Sequence, residues 1–121
     1  MAEKRVLHIE VTSLEESLQQ FASVWRQAER GEVVEAREAV GFESMAELLS
    51  TFTPKRWELI GQLRQAGSMS VYALAKLLER DYKNVHTDVK VLEKIGVIER
   101  DDQGHVQVPW DEIDAHILLA A

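Results

Sequence analysis

The chain has 121 residues, 14 lysines and arginines against 21 aspartates and glutamates, a formal net charge of −7 and no cysteine. That length suits one ordinary domain, or two small lobes sharing a core, and it is enough to fold without covalent staples. Without cysteine there are no disulfides, no Cys-based zinc sites and no thiol catalysis. No apolar run reaches the roughly 18 residues of a membrane span, and the segment after Met1-Ala2-Glu3-Lys4-Arg5 is not the apolar stretch of a secretory signal, so a cytoplasmic protein without a membrane partner is expected.

Val6, His8 and Glu10 alternate with Leu7, Ile9 and Val11, the period of two that marks a strand. Ser13 and Glu16 form a capping box. Behind it Leu14, Leu18, Phe21, Val24, Trp25 and Ala28 recur at helical spacing, and Gly31 is the stop. Val33, Val34, Ala36, Ala39, Val40 and Phe42 read as a second strand within residues 32–42. The two strands are expected to make a small two-stranded sheet packed on the first helix. Ser44 and Glu47 cap a short helix carrying Leu48 and Leu49.

From Thr53 the texture changes. Thr53 is a good N-cap and Pro54 suits the first helical position. Trp57, Ile60 and Leu63 form a stripe that ends at Gly67. Ser70 caps a shorter helix with Val71, Leu74, Ala75 and Leu78, and Glu79-Arg80-Asp81 is a tight connection. Asp81 is positioned to cap a third helix with Val85, Val89, Leu92 and Ile95 inward and Gly96 at its end. Residues 97–100 and 105–108 read as two strands around the turn Asp101-Asp102-Gln103-Gly104. Residues 110–121 open acidic and finish in Ile117-Leu118-Leu119, which reads as a short docked helix.

Charge follows the same division. Residues 1–52 carry 5 basic and 10 acidic side chains, residues 53–100 carry 9 and 6, and residues 101–121 carry none and 5. The middle block is therefore +3 between two blocks of −5, and local sign decides what a surface attracts.

Three short helices followed by a two-stranded ribbon are the plan of a winged helix-turn-helix, whose third helix enters the major groove of DNA. The expected fold is α+β: a winged helix-turn-helix domain at 53–110, preceded by a strand-helix-strand lobe at 1–50 and followed by an acidic segment at 111–121. Ala75 is the small residue that lets the second and third helices cross closely. On the third helix Lys83, Asn84, His86, Thr87, Lys90 and Lys94 make the polar face. Asn84 suits adenine N6/N7 and Lys90 suits guanine O6/N7. Tyr82 and Lys83 suit phosphates at the helix N-terminus. Lys55, Arg56 and Lys76 are candidate phosphate contacts from the first two helices, and Arg100 and His105 from the ribbon. Asp101 and Asp102 at the ribbon tip repel phosphate, so binding should lean on the third helix. Asp88 and Glu93 are expected to pair with lysines of their own helix.

The runs Phe42-Glu43-Ser44-Met45, Thr53-Pro54-Lys55-Arg56-Trp57-Glu58-Leu59, Asn84-Val85-His86-Thr87-Asp88-Val89-Lys90-Val91-Leu92-Glu93 and Gly96-Val97-Ile98 resemble a prokaryotic family of small winged-helix DNA-binding proteins over residues 40–110. A looser likeness extends to MarR-type and ArsR-type regulators. Within this family the chain resembles antitoxins of TumE–TumA type modules. The resemblance implies a repressor of its own operon that also neutralises a small toxin protein. It further suggests Asp111, Glu112 and Asp114, or Glu15, Glu16, Glu29 and Glu32, as acidic mimics of nucleic acid in a basic toxin site; ordinary solubility is the simpler role for such residues.

The surplus apolar surface of the first helix, Phe21, Val24 and Trp25, is a candidate homodimer or partner surface, because operator-binding proteins of this kind commonly read two half-sites as two-fold dimers. No enzyme is expected. His8, His86, His105 and His116 are scattered, and no metal, phosphate-cradling or nucleophile motif is present, so neither a metal nor a cofactor is anticipated. Two alternatives remain: a ligand-responsive repressor with a pocket among Trp25, Trp57 and Trp110 or at the dimer interface, and an adaptor that binds only protein.

Overall fold

A computed structural model of the chain describes residues 4–12, 14–31 and 38–119. The fold is α+β. Strand β1 (Val6–Val11) leads to helix α1 (Leu14–Glu29), strand β2 (Ala39–Phe42) and helix α2 (Met45–Thr51). Helices α3 (Pro54–Ala66), α4 (Val71–Leu78) and α5 (Tyr82–Lys94) follow, then strands β3 (Glu99–Arg100), β4 (Val106–Gln107) and β5 (Glu112–Ile117). The expected capping at Ser13 and the expected strand over 32–37 lie outside the described residues.

Local chemistry explains most helix starts. Ser44, Thr53 and Ser70 accept hydrogen bonds from the backbone N–H of Glu47, Arg56 and Ala73, each satisfying a donor that the first helical turn leaves open. Asp81 is the exception: it precedes α5, but its side chain makes no capping bond. Glu79 ends α4 in the left-handed region at φ 54°, and the N–H of Arg80 then returns to the carbonyl of Ala75 at 3.1 Å, which makes the connection to α5 tight.

The expected two-stranded sheet is three-stranded, and the expected C-terminal helix is its third strand. The order is β2-β1-β5, with β1 parallel to both neighbours. Residues 112–117 alternate polar and apolar as β1 does. Pairing with β1 satisfies the backbone, and it turns Ile113 and Ile117 toward the core. The acidic C-terminal segment is thus part of the same sheet as the N-terminal strand. Residues 97–100 and 105–108 pair over less length than expected, Glu99 with Gln107 and Arg100 with Val106. Met69, before α4, adds a further antiparallel bridge to Val106.

One hydrophobic cluster joins both ends of the chain. Leu7, Ile9 and Val11 of β1, with Phe42, Leu48 and Phe52, belong to the same core as Leu59, Leu63, Leu74, Val85, Val89, Leu92, Val97, Ile98 and Val106. On α3 the buried stripe is Leu59, Ile60 and Leu63, while Trp57 is half exposed and stacks on Phe52 at 4.8 Å. Trp110 is buried, and its indole N–H donates to the Gly96 carbonyl at 2.9 Å. The apolar arc of α1 does not pack as expected: Leu18, Phe21, Val24 and Trp25 are all exposed. No helix is long and apolar enough to cross a membrane among the described residues.

Candidate functional site

Helix α5 is divided lengthwise. Val85, Val89 and Leu92 are fully buried, and Ala75 of α4 is buried beside them. The opposite side presents Tyr82, Lys83, Asn84, Thr87, Lys90 and Lys94, all exposed, with His86 half-buried. Lys83, Thr87, Lys90 and Lys94 are spaced by four, three and four residues, so they form one stripe along the helix. The Thr87 hydroxyl donates back to the Lys83 carbonyl at 3.0 Å.

An aromatic strip connects this stripe to α4. Tyr82 lies 5.7 Å from the His86 ring and 6.5 Å from Tyr72, and the Lys76 ammonium sits 4.8 Å above the Tyr72 ring. Tyr72 is exposed and was not among the residues singled out from sequence. The available signal was its position four residues before Lys76 on a short helix.

Arginines and lysines between residues 53 and 100 do different work. Asp88 is buried and accepts from Arg56 Nε at 3.0 Å and from Arg80 Nη2 at 2.7 Å. Arg56 also donates to the Thr51 carbonyl at 3.0 Å, which ties the end of α2 to α5. Arg64 donates to the Trp110 carbonyl and to Asp111, both at 2.8 Å. Arg100 grips Glu93 with Nε and Nη2 at 3.1 and 3.2 Å. By contrast Lys55, Lys76, Lys83, Lys90 and Lys94 are exposed and make no ion pair among the described residues. The planar guanidinium fork suits fixed carboxylate partners, whereas the ammonium is a strongly hydrated point charge.

Two of the expected phosphate contacts, Arg56 and Arg100, are thus hydrogen-bonded within the protein, the first half-buried and the second exposed. Asp88 and Glu93 likewise pair with arginines from other elements, not with lysines of α5. The Arg100 contact holds the Glu93 carboxyl below the usual carboxylate range. At the ribbon tip Asp101 accepts from the backbone N–H of Gln103 and of His105, both at 2.9 Å, so one of its two acidic groups serves the turn.

The acidic C-terminal residues are similarly engaged. Asp111 accepts from the Arg5 N–H and from Arg64, which lower its pKa. Glu112 pairs with Lys4, and Asp114 lies 3.6 Å from His8. Trp57 and Trp110 do line one shallow depression of about 250 Å³ with Ile60, Arg64 and Ile113; Trp25 is not part of it. No three His, Asp or Glu side chains converge on a metal site among the described residues.

The family model HVO_A0114 matches residues 51–115, more than half of the chain's 121 residues. The chain belongs to the HVO_A0114 family. The region matched to HVO_A0114 takes in α3, α4, α5, β3 and β4, and therefore the lysine stripe, the aromatic strip and the buried Asp88 cluster. Phe21, Val24 and Trp25 lie outside the HVO_A0114 match. No curated protein and no solved structure matches the chain.

Proposed function

We propose that residues 53–110 are a winged helix-turn-helix, that α5 is its recognition helix, and that the protein is a sequence-specific DNA-binding regulator. One observation carries this reading: α5 is docked by a fully apolar side and turns outward a stripe of lysines that the fold does not use. The arrangement of α3, α4, α5 and the β3–β4 ribbon supports it, because such a unit sets its last helix against the major groove. Lys83 and Tyr82 sit at the N-terminal turn of α5, where backbone N–H groups also favour phosphate. Asn84, Thr87 and Lys90 are the base-reading candidates, and Lys55, Lys76 and Lys94 the phosphate candidates. Arg56 and Arg100 are withdrawn from that set.

The test is binding to DNA from upstream of the protein's own gene, titrated with salt. Affinity should fall steeply as salt rises, because each lysine–phosphate contact releases counterions. Lys90→Ala and Asn84→Ala should change sequence preference, whereas Lys55→Ala should weaken all sequences alike. Salt-insensitive binding, or unchanged preference in both α5 variants, overturns the assignment. The antitoxin role rests on the sequence resemblance to TumE–TumA type antitoxins. Co-expression with the neighbouring gene tests it: a tight complex and restored growth are expected, and a neighbour harmless by itself removes the role.

A further inference from the structure

Two tyrosines where α4 meets α5 stay out of the core. Tyr82, the first residue of α5, is 46% exposed, and Tyr72, in the first turn of α4, is 60% exposed. They touch each other, with ring centroids 6.5 Å apart, and Tyr82 also touches the His86 ring at 5.7 Å. Tyr82 and His86 are four residues apart and so share one side of α5. Lys90 follows after four more, which sets that side against the edge of the lysine stripe. Further along, the same side reaches Glu93, which Arg100 holds. The aromatic part is therefore confined to the first two turns of α5. In a recognition helix those are the turns whose side chains meet base edges.

An exposed aromatic ring in that place has one apolar partner in the major groove. Base edges there present nitrogen and oxygen donors and acceptors, and the methyl group is the one at C5 of thymine. Against that methyl the ring buries apolar surface on apolar surface. Against the edge of another base it covers polar atoms without pairing them, which costs free energy. The neighbouring lysines cannot sense the methyl, because an ammonium only donates hydrogen bonds. Stacking of an unpaired base is the poorer fit. Tyr82 is inclined at 49° to Tyr72 and at 33° to His86, so the rings form no parallel-walled slot for a base to enter.

We infer that Tyr82, with Tyr72 and His86 against its ring, reads a thymine in the DNA site through the C5-methyl group. The inference rests on α5 being the recognition helix and adds a base that this helix selects. Ring and hydroxyl have separable roles. The ring meets the methyl, while the phenolic hydroxyl stays available to a backbone phosphate near the N-terminal turn of α5. Asn84, two residues on, stands on the opposite flank of the helix. Its adenine contact and the thymine contact of Tyr82 therefore fall on different base pairs.

A thymine-to-uracil scan tests this. DNA from upstream of the protein's own gene is footprinted, and each thymine in the footprint is replaced singly by deoxyuridine. That change removes the methyl and keeps every hydrogen-bonding atom. At the position that meets Tyr82 it should weaken binding of the full chain by about fourfold, the contribution of one buried methyl group. Tyr82→Ala should abolish that difference, measured at low salt so that the lysine contacts still hold the complex. Tyr82→Phe should keep the difference while loss of the hydroxyl weakens all sequences alike. Thr87→Ser, which removes the methyl of the adjacent stripe, should keep it too. A strip that serves only to hold α4 against α5 would change stability in these variants and leave the thymine–uracil difference untouched. A uniform response to uracil, or a difference that survives Tyr82→Ala, overturns the inference and leaves salt-dependent DNA binding standing. Absence of salt-dependent binding to this DNA removes both.

Discussion

The Asp88 carboxylate accepts a hydrogen bond from Arg56 Nε at 3.0 Å, across 32 positions of sequence. Arg80 closes the cluster from the other side at 2.7 Å. One buried acid thereby holds α3, the turn after α4, and α5 in a fixed relation, and Arg56 extends the connection to the end of α2. Asp88→Ala leaves two arginines facing each other with no counter-charge. It should lower stability by about 3–5 kcal/mol, read as a shift in the urea midpoint with an unchanged slope.

The separation between structural arginines and solvent-facing lysines makes a paired prediction for the proposed DNA contact. Removing Lys83 or Lys94 should reduce the slope of log affinity against log salt by about one each. Arg56→Ala should leave that slope unchanged and instead reduce stability, because its guanidinium is engaged with Asp88 and Thr51. Salt titration beside urea denaturation of the same three variants separates the two roles.

The Glu93–Arg100 pair predicts an acid-side loss of stability. Its hydrogen bond to Arg100 holds the folded Glu93 carboxyl below the usual range, as Lys90 and His86 also favour the ionised form. A carboxyl with a depressed folded pKa stabilises fully above the unfolded value of about 4.3, and loses that contribution as pH falls through the lower folded value. The stability difference between wild type and Glu93→Gln should therefore be level at neutral pH and shrink toward strong acid. Urea titrations at a series of pH values measure it.

Strand β5 predicts the result of a truncation. Ending the chain after Trp110 removes the partner of β1 along its whole length and uncovers the core near Ile113 and Ile117. A loss on the order of 3 kcal/mol is expected from the apolar contacts of these two side chains. Hydrogen exchange should show the amides of β1 losing protection first, while those of α5 retain theirs.

Much of the organisation was legible because it is written in short-range chemistry. Thr53 with Pro54, and Ser70, start their helices by hydrogen bonds to residues three positions on. Val85, Val89 and Leu92 pointed inward as their spacing required. The alternation of residues 112–117 was equally visible, yet the acidic start and the apolar end of that stretch also fit a short helix. Only β1, more than a hundred residues earlier, makes the strand reading the stable one. Tyr72 was overlooked for a related reason: its value lies in contacts with Tyr82 and Lys76, and one of those crosses between helices.

The net charge of −7 and its distribution into acidic ends and a basic middle were properties of the sequence alone. So were the helix starts, the buried stripe of α5 and the unusual apolar seam of α1, since each depends on residues within a turn or two of one another. The tertiary structure decided which charges remain available. Arg56, Arg64, Arg80 and Arg100 are drawn into bonds with Asp88, Asp111 and Glu93, while the five lysines of the same region stay in water. It also left Leu18, Phe21, Val24 and Trp25 of α1 exposed. Both outcomes depend on groups brought together from distant parts of the chain, where desolvation and partner geometry select among pairings that local sequence leaves equal.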